Sequence, residues 1–215
     1  MRADRNSEGL DRLIIGFDRL LKGAFGTHRS RRADHIRDFG EAPDLTTAER
    51  RVSAGLIRVD HAGEVCAQAL YEGQAITARN PAVAAHMRQS AVEEREHLDW
   101  CEQRLDELNS TPTRLAPVWY AGSFVVGLAA GLSGDRNSLG FVAATEREVD
   151  EHLERHLTRL PERDTRSREI LLAMQADERR HGTNAIGSGG REFPGFVRKL
   201  MRAASTLMTA TAPHI

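Results

Sequence analysis

Aromatic residues make up only 5% of the 215 residues and β-branched runs are scarce, which removes the usual material of half-buried strands. Cysteine is nearly absent. Cys66 and Cys101 form no Cys-x-x-Cys pair and cannot build a disulfide framework; the chain suits a reducing compartment, and both thiols read as small buried apolar groups. Excess charge of one sign is missing too. The formal net charge is −1, with no basic domain and no interleaving of basic and aromatic residues, so the electrostatic footprint of a nucleic-acid binder is excluded. The N-terminus shows no cleavable apolar stretch followed by small residues, and no secretory signal is expected. Ala, Leu, Glu and Arg are abundant. With 40% hydrophobic and 28% charged residues, the chain has the profile of a soluble or peripheral globular protein that is rich in helix and built on one core.

Residues 7–25 carry Leu10, Leu13, Ile14, Phe17, Leu20 and Leu21 at spacings of three and four, one apolar stripe on a helix, followed by a connector containing Arg29, Arg31, Arg32 and Arg37. A long helix is expected from Thr46 or Thr47, where TTAER supplies a cap followed by an acid, to about Arg79, before the Asn80-Pro81 break. A second runs from Pro81 to about Leu108, a third from about Asp135 to Leu160, and a fourth from about Glu162 to Ile186. Between the second and third lies an uncharged run over 115–134. It is long enough for a membrane span, but Pro117, Gly122, Gly127, Gly131 and Gly134 dilute it, so a buried or interfacial helix is expected. A last amphipathic helix over about 193–208 sets Phe193, Phe196, Val197, Leu200, Met201 and Leu207 beside Arg198, Lys199 and Arg202, a pattern that fits a bilayer interface or packing on the bundle. The chain thus divides into 1–44, an amphipathic helix and basic connector; 45–190, a four-helix bundle with 115–134 as an apolar insertion; and 191–215, a terminal amphipathic helix.

Two short stretches carry the chemistry. AVEEREHLDW contains Glu94 and His97, and QADERRHGTNA contains Glu178 and His181. On a helix, positions i and i+3 share a face, so each pair offers an oxygen and a nitrogen to one point. Upstream of each lies a helix with an acid among apolar or small residues: Glu64 in RVDHAGEVCAQAL and Glu146 in GFVAATEREVDEHL. Glu146 follows the apolar run directly, whereas Glu148 and Glu151 sit on more polar sides, although the choice among the three is open at this point. The pattern helix-with-Glu, helix-with-ExxH then occurs twice. That inventory belongs to ferritin-like dimetal carboxylate bundles, so the expected fold is all-α. Four carboxylates in a helical core would repel one another and resist ionisation, whereas two divalent cations balance them and leave the imidazoles as neutral ligands. Oxygen and nitrogen ligands suit iron or manganese better than a closed structural zinc site, and iron is expected. Metal-bound imidazoles usually donate their other N–H to an acid or a carbonyl. Asp60, Asp150 and Asp177 lie at helical spacings that suit this role, and His61, Gln68, Tyr71 and His152 are candidates for lining the pocket.

RVDHAGE, EEREH, ATERE with EH soon after, and DERRH closely resemble the motifs of the demethoxyubiquinone hydroxylase family, di-iron monooxygenases of ubiquinone biosynthesis. The resemblance covers about residues 45–215. It implies two irons per chain, held by Glu64, Glu94, His97, Glu146, Glu178 and His181. It implies O2 and a polyprenylated 3-methyl-6-methoxybenzoquinone or its quinol as substrates, with ring hydroxylation as the penultimate step of the pathway. It also implies peripheral attachment to the membrane where so apolar a substrate resides. With no organelle presequence in view, the cytoplasmic face of a bacterial inner membrane is expected. The sequence does not name the electron donor, and it leaves open assembly as a homo-oligomer or in a biosynthetic complex. One departure stands out: some members carry an aromatic residue straight after the histidine matching His152, where this chain has Leu153. The competing readings are a ferritin-like iron-binding or peroxide-scavenging protein and a di-iron hydroxylase of another lipid-like substrate.

Overall fold

A computed structural model describes residues 39–194 together with 201–203, 206 and 208–210. Among the described residues the regular structure is entirely helical: α1 (Thr47–Thr77), α2 (Pro81–Glu107), α3 (Ala116–Leu132), α4 (Asp135–Arg159) and α5 (Thr165–Gly187). The apolar stripe expected over 7–25 lies outside these residues, as does most of the terminal helix expected over about 193–208, of which 201–203, 206 and 208 are helical, as are 209–210 beyond it.

Local chemistry sets the boundaries. Thr46 and Glu49 form a reciprocal cap at the start of α1: the Thr46 amide donates to the Glu49 carboxylate at 2.9 Å, and the Glu49 amide donates to the Thr46 hydroxyl at 3.3 Å. At α2 the Asn80 side chain accepts from the Ala82 amide at 2.9 Å, and Pro81 occupies the first turn, where its missing N–H costs nothing. α5 begins three residues later than the sequence suggests, at Thr165 rather than Glu162. The reason is tertiary. Asp164 is fully buried; it accepts from the Ser167 amide at 3.0 Å and pairs with Arg104 of α2 at 2.7 Å. Arg104 also donates to the Ser167 hydroxyl at 2.8 Å, so the end of α2 fixes the start of α5.

The helices pair as two hairpins, α1 with α2 and α4 with α5, and α3 lies along α1 while carrying the chain across to the second hairpin. α3 comes close to α1 because glycines line the contact. A Cβ on Gly73 would sit 2.7 Å from the Leu128 amide nitrogen, and Cβ atoms on Gly127 and Gly131 would collide with the Leu70 backbone and the Thr77 side chain. Two of the residues that weaken the 115–134 run as a span, Gly127 and Gly131, are therefore among those that seat it on the bundle. Among the described residues, no helix is long and apolar enough to cross a membrane. The outer face of α3 nonetheless exposes Val118, Val125, Val126 and Leu132, at 63%, 63%, 46% and 65%.

Two apolar plugs fill the bundle interior. One gathers Ile57, Cys101, Leu105, Leu153, Leu157, Ile170, Leu171 and Met174; the other gathers Tyr71, Val83, Met87, Leu139, Val142 and Ala185. Between them in sequence, on all four bundle helices, lies a belt of buried acids and imidazoles.

Candidate metal centre

Glu64 of α1, Glu94 and His97 of α2, Glu146 of α4, and Glu178 and His181 of α5 are all at most 2% exposed. The fold brings these six side chains together. His97 Nδ1 lies 3.5 Å from Glu64 Oε2, 3.3 Å from Glu94 Oε2 and 3.2 Å from Glu178 Oε1. His181 Nδ1 lies 3.3 Å from Glu94 Oε1 and 3.6 Å from Glu178 Oε2. The ligand atoms fall into two overlapping groups, one of Glu64, Glu94, His97 and Glu178 and one of Glu94, Glu146, Glu178 and His181. Glu94 and Glu178 belong to both groups, so the two groups could hold a cation each only by sharing these two carboxylates. Glu148 and Glu151, the alternatives to Glu146, pair instead with Arg202 at 2.9 and 2.6 Å.

The donor set fits a pair of cations. Among the described residues, Glu64 Oε2, Glu146 Oε2, both oxygens of Glu94 and of Glu178, and Nδ1 of both histidines are buried without a hydrogen-bond partner. Orphaned polar atoms at this density are costly unless something charged sits among them. Without cations, protons take their place. Burial and the charges of Glu94 and Glu178 push the Glu64 carboxyl well above the usual carboxylate range; burial and Glu178 do the same to Glu146. Burial acts in the same upward direction on Glu94 and Glu178, but contacts with the two imidazoles outweigh it, and both carboxyls are held down. Burial alone would favour neutral imidazoles, yet the surrounding carboxylates raise His97 well above its ordinary value and bring His181 to about 10.

The imidazole nitrogens that point away from the belt are held by a crossed pair of acids. Asp177, one residue before Glu178 on α5, reaches His97 Nε2 on α2 at 3.2 Å; Glu93, one residue before Glu94 on α2, reaches His181 Nε2 on α5 at 2.6 Å. Arg180 joins the two acids, at 2.9 Å from Asp177 and 3.2 Å from Glu93. Sequence reasoning singled out Asp177 but missed Glu93. The signal was present, since both motifs read acid-Glu-x-x-His.

The remaining candidates separate. The Tyr71 hydroxyl donates a short hydrogen bond to Glu146 and so joins the centre. Asp150 turns toward Arg179 at 2.9 Å. His61 faces Glu102 and Gln68 faces Glu72, each at 3.4 Å. Asp60 and His152 meet each other instead of a belt imidazole, at 3.5 Å.

Residues 51–212 match the family model of ubiquinone biosynthesis protein COQ7. The chain belongs to the COQ7 family. It is 51% identical over 216 residues to a 3-demethoxyubiquinol 3-hydroxylase of Ralstonia pickettii (strain 12J), covering 96% of this chain and 100% of that protein. It is 50% identical over 212 residues to the enzyme of the same name from Acinetobacter baylyi, covering 98% and 100%. Among solved structures, the bacterioferritin-related protein of Bacteroides fragilis, a dodecameric thioferritin, aligns with a TM-score of 0.51 at 15% identity, over 81% of this chain and 96% of that one. That likeness shows that this COQ7-family chain has the ferritin-like fold.

Proposed function

We propose that this chain is a 3-demethoxyubiquinol 3-hydroxylase that works through two iron ions held by Glu64, Glu94, His97, Glu146, Glu178 and His181. The observation that carries the reading is the convergence from four helices of two imidazoles and four buried carboxylates, each with at least one oxygen lacking a hydrogen-bond partner, in a chain about half identical to hydroxylases of that name. In the reaction one oxygen atom of O2 enters the quinol ring as a hydroxyl group and the other leaves as water, with two electrons and two protons supplied. A bound iron pair supplies the redox capacity for O2 activation that amino-acid side chains lack.

The chain's own residues do the rest. Glu94 and Glu178, which belong to both groups, would each contribute to holding both ions. Asp177 and Glu93 orient the imidazoles, and a hydrogen bond donated by each Nε2–H to its acid keeps the proton on Nε2 and leaves the Nδ1 lone pair directed at the centre. Tyr71 holds one oxygen of Glu146 through its hydroxyl. The two apolar plugs shield the belt on either side and exclude bulk water.

The exposed face of α3, with Val118, Val125, Val126 and Leu132, supports a peripheral position on the cytoplasmic face of a bacterial inner membrane, where a polyprenylated quinol is dissolved. The test is direct. The full chain, loaded with iron and given reductant, labelled O2 and 3-demethoxyubiquinol, should yield a product one labelled oxygen heavier by mass spectrometry. Unchanged quinol from fully iron-loaded protein would overturn the reading.

A further inference from the structure

One turn before Glu64 on α1, Asp60 is 2% exposed and faces α4, where His152 and His156 stand one turn apart on the same side. Asp60 Oδ1 lies 2.8 Å from His156 Nδ1 and 3.5 Å from His152 Nε2, and the two imidazole rings approach to 4.0 Å between centroids. Among the described residues, Asp60 pairs with no arginine or lysine. Both of its oxygens, His156 Nδ1 and His152 Nε2 are buried without a well-formed hydrogen bond. A buried carboxylate with a lone pair that no donor engages and two imidazole nitrogens turned on it is an expensive arrangement to keep as an ion pair alone.

The geometry matches something else. The three ligand atoms lie within 4.8 Å of one another. Ligands of a tetrahedral ion with bonds of about 2.0–2.2 Å stand roughly 3.4 Å apart, so the observed separations close on an ion with little movement. Two histidines four residues apart on one helix, with a carboxylate from a neighbouring helix, form a two-nitrogen, one-oxygen face that leaves coordination positions for water. His152 is 15% exposed at its side chain, which gives a route in from solvent. Arg155 touches His152 Nδ1 at 3.5 Å, a long contact on the outer side that yields when that nitrogen carries the proton.

We propose that Asp60, His152 and His156 form a third metal-ion site, sharing no ligand with the four-glutamate centre and taking one divalent transition-metal ion such as zinc or cobalt(II). The site braces α1 to α4 one turn from the bridged pair.

The test is cobalt(II) binding to the full chain by equilibrium dialysis with elemental analysis, together with the visible spectrum of the bound ion. The unsubstituted chain should hold about one ion per chain more than His156→Gln or His152→Gln, and the low-symmetry cobalt bands of that extra ion should vanish in both variants. Helical content by circular dichroism verifies that each variant is folded; His152, partly exposed, is the substitution least able to disturb packing. Equal cobalt content in the unsubstituted chain and a folded His152→Gln variant would overturn the proposal and leave Asp60 with a purely structural ion pair. Glu178→Ala separates this inference from the one above it. Cobalt lost in that variant but retained in His152→Gln belongs to the bridged pair, and cobalt with the opposite pattern belongs to the third site.

Discussion

The two halves of the candidate metal centre carry the same potential ligands in different surroundings. In the first half, Glu64 and His97 touch each other at 3.5 Å, and the outer acid is Asp177 at 3.2 Å. In the second, Glu146 is tethered by the Tyr71 hydroxyl, and the outer acid is Glu93 at 2.6 Å. The ligand set is a repeat, but the groups that orient it are not. A carboxylate held by a phenol and an imidazole held by a closer acid have fewer poses to lose when an ion arrives. The Glu146–His181 half is therefore expected to fill first, and the Glu64–His97 half to keep more freedom for its carboxylate to move.

Removing a shared ligand should erase the distinction and give the largest effect. Glu178→Ala takes a carboxylate from both halves; hydroxylation should fall by at least about a thousandfold, with bound iron dropping toward zero by elemental analysis. The single-half substitutions come next. His97→Ala should leave about one tightly held ion per chain, while His181→Ala should leave a weaker one, as read by titration with a competing chelator. Equal residual affinities would break the comparison.

The outer acids are a step smaller. Asp177→Asn and Glu93→Gln should each weaken metal binding by about 10–100-fold, with Glu93→Gln the more damaging. Proton coupling gives the fourth measurement. His181 in the metal-free chain is raised from its ordinary 6.5 to about 10 by the facing carboxylates, although burial opposes this, and it must shed that proton to bind metal. Metal loading should release protons in a pH-stat, and affinity should fall by up to about tenfold per pH unit of acidification for each proton released. For the metal-free chain the sign reverses: the stability contributed by a raised imidazole is complete below 6.5 and is lost as pH rises through about 10. The smallest effect is that of Tyr71→Phe, expected to cost severalfold, up to about tenfold, in affinity for the second ion position only.

Much of this centre was legible because helical periodicity converts spacing into direction. Glu94 with His97 and Glu178 with His181 had to share faces, and Glu64 and Glu146 stood out as acids among small or apolar residues. Glu93 was passed over because it looks like one more charge in an acidic run; its role appears only when α2 and α5 face each other. Asp60 and His152 were singled out as supports for the belt. The fold instead joins them with His156, a residue whose spacing from His152 was visible but whose partner on α1 was not. Asp150 had the right helical offset from Glu146 and still turns to Arg179, because an offset gives a side but not the neighbour that competes for it.

By itself, then, the sequence determined the helices, the caps of α1 and α2 and the helix face that each of the six candidate ligands shares with its neighbours, since each depends on residues within a few turns of one another. Tertiary structure decided the rest: the crossed hold of Asp177 and Glu93, the meeting of Asp60 with two imidazoles, the late start of α5 under Arg104, and the seating of α3 on α1 through Gly73, Gly127 and Gly131. These rest on contacts between helices distant in the chain, where distance and shape choose among partners that local spacing leaves equivalent.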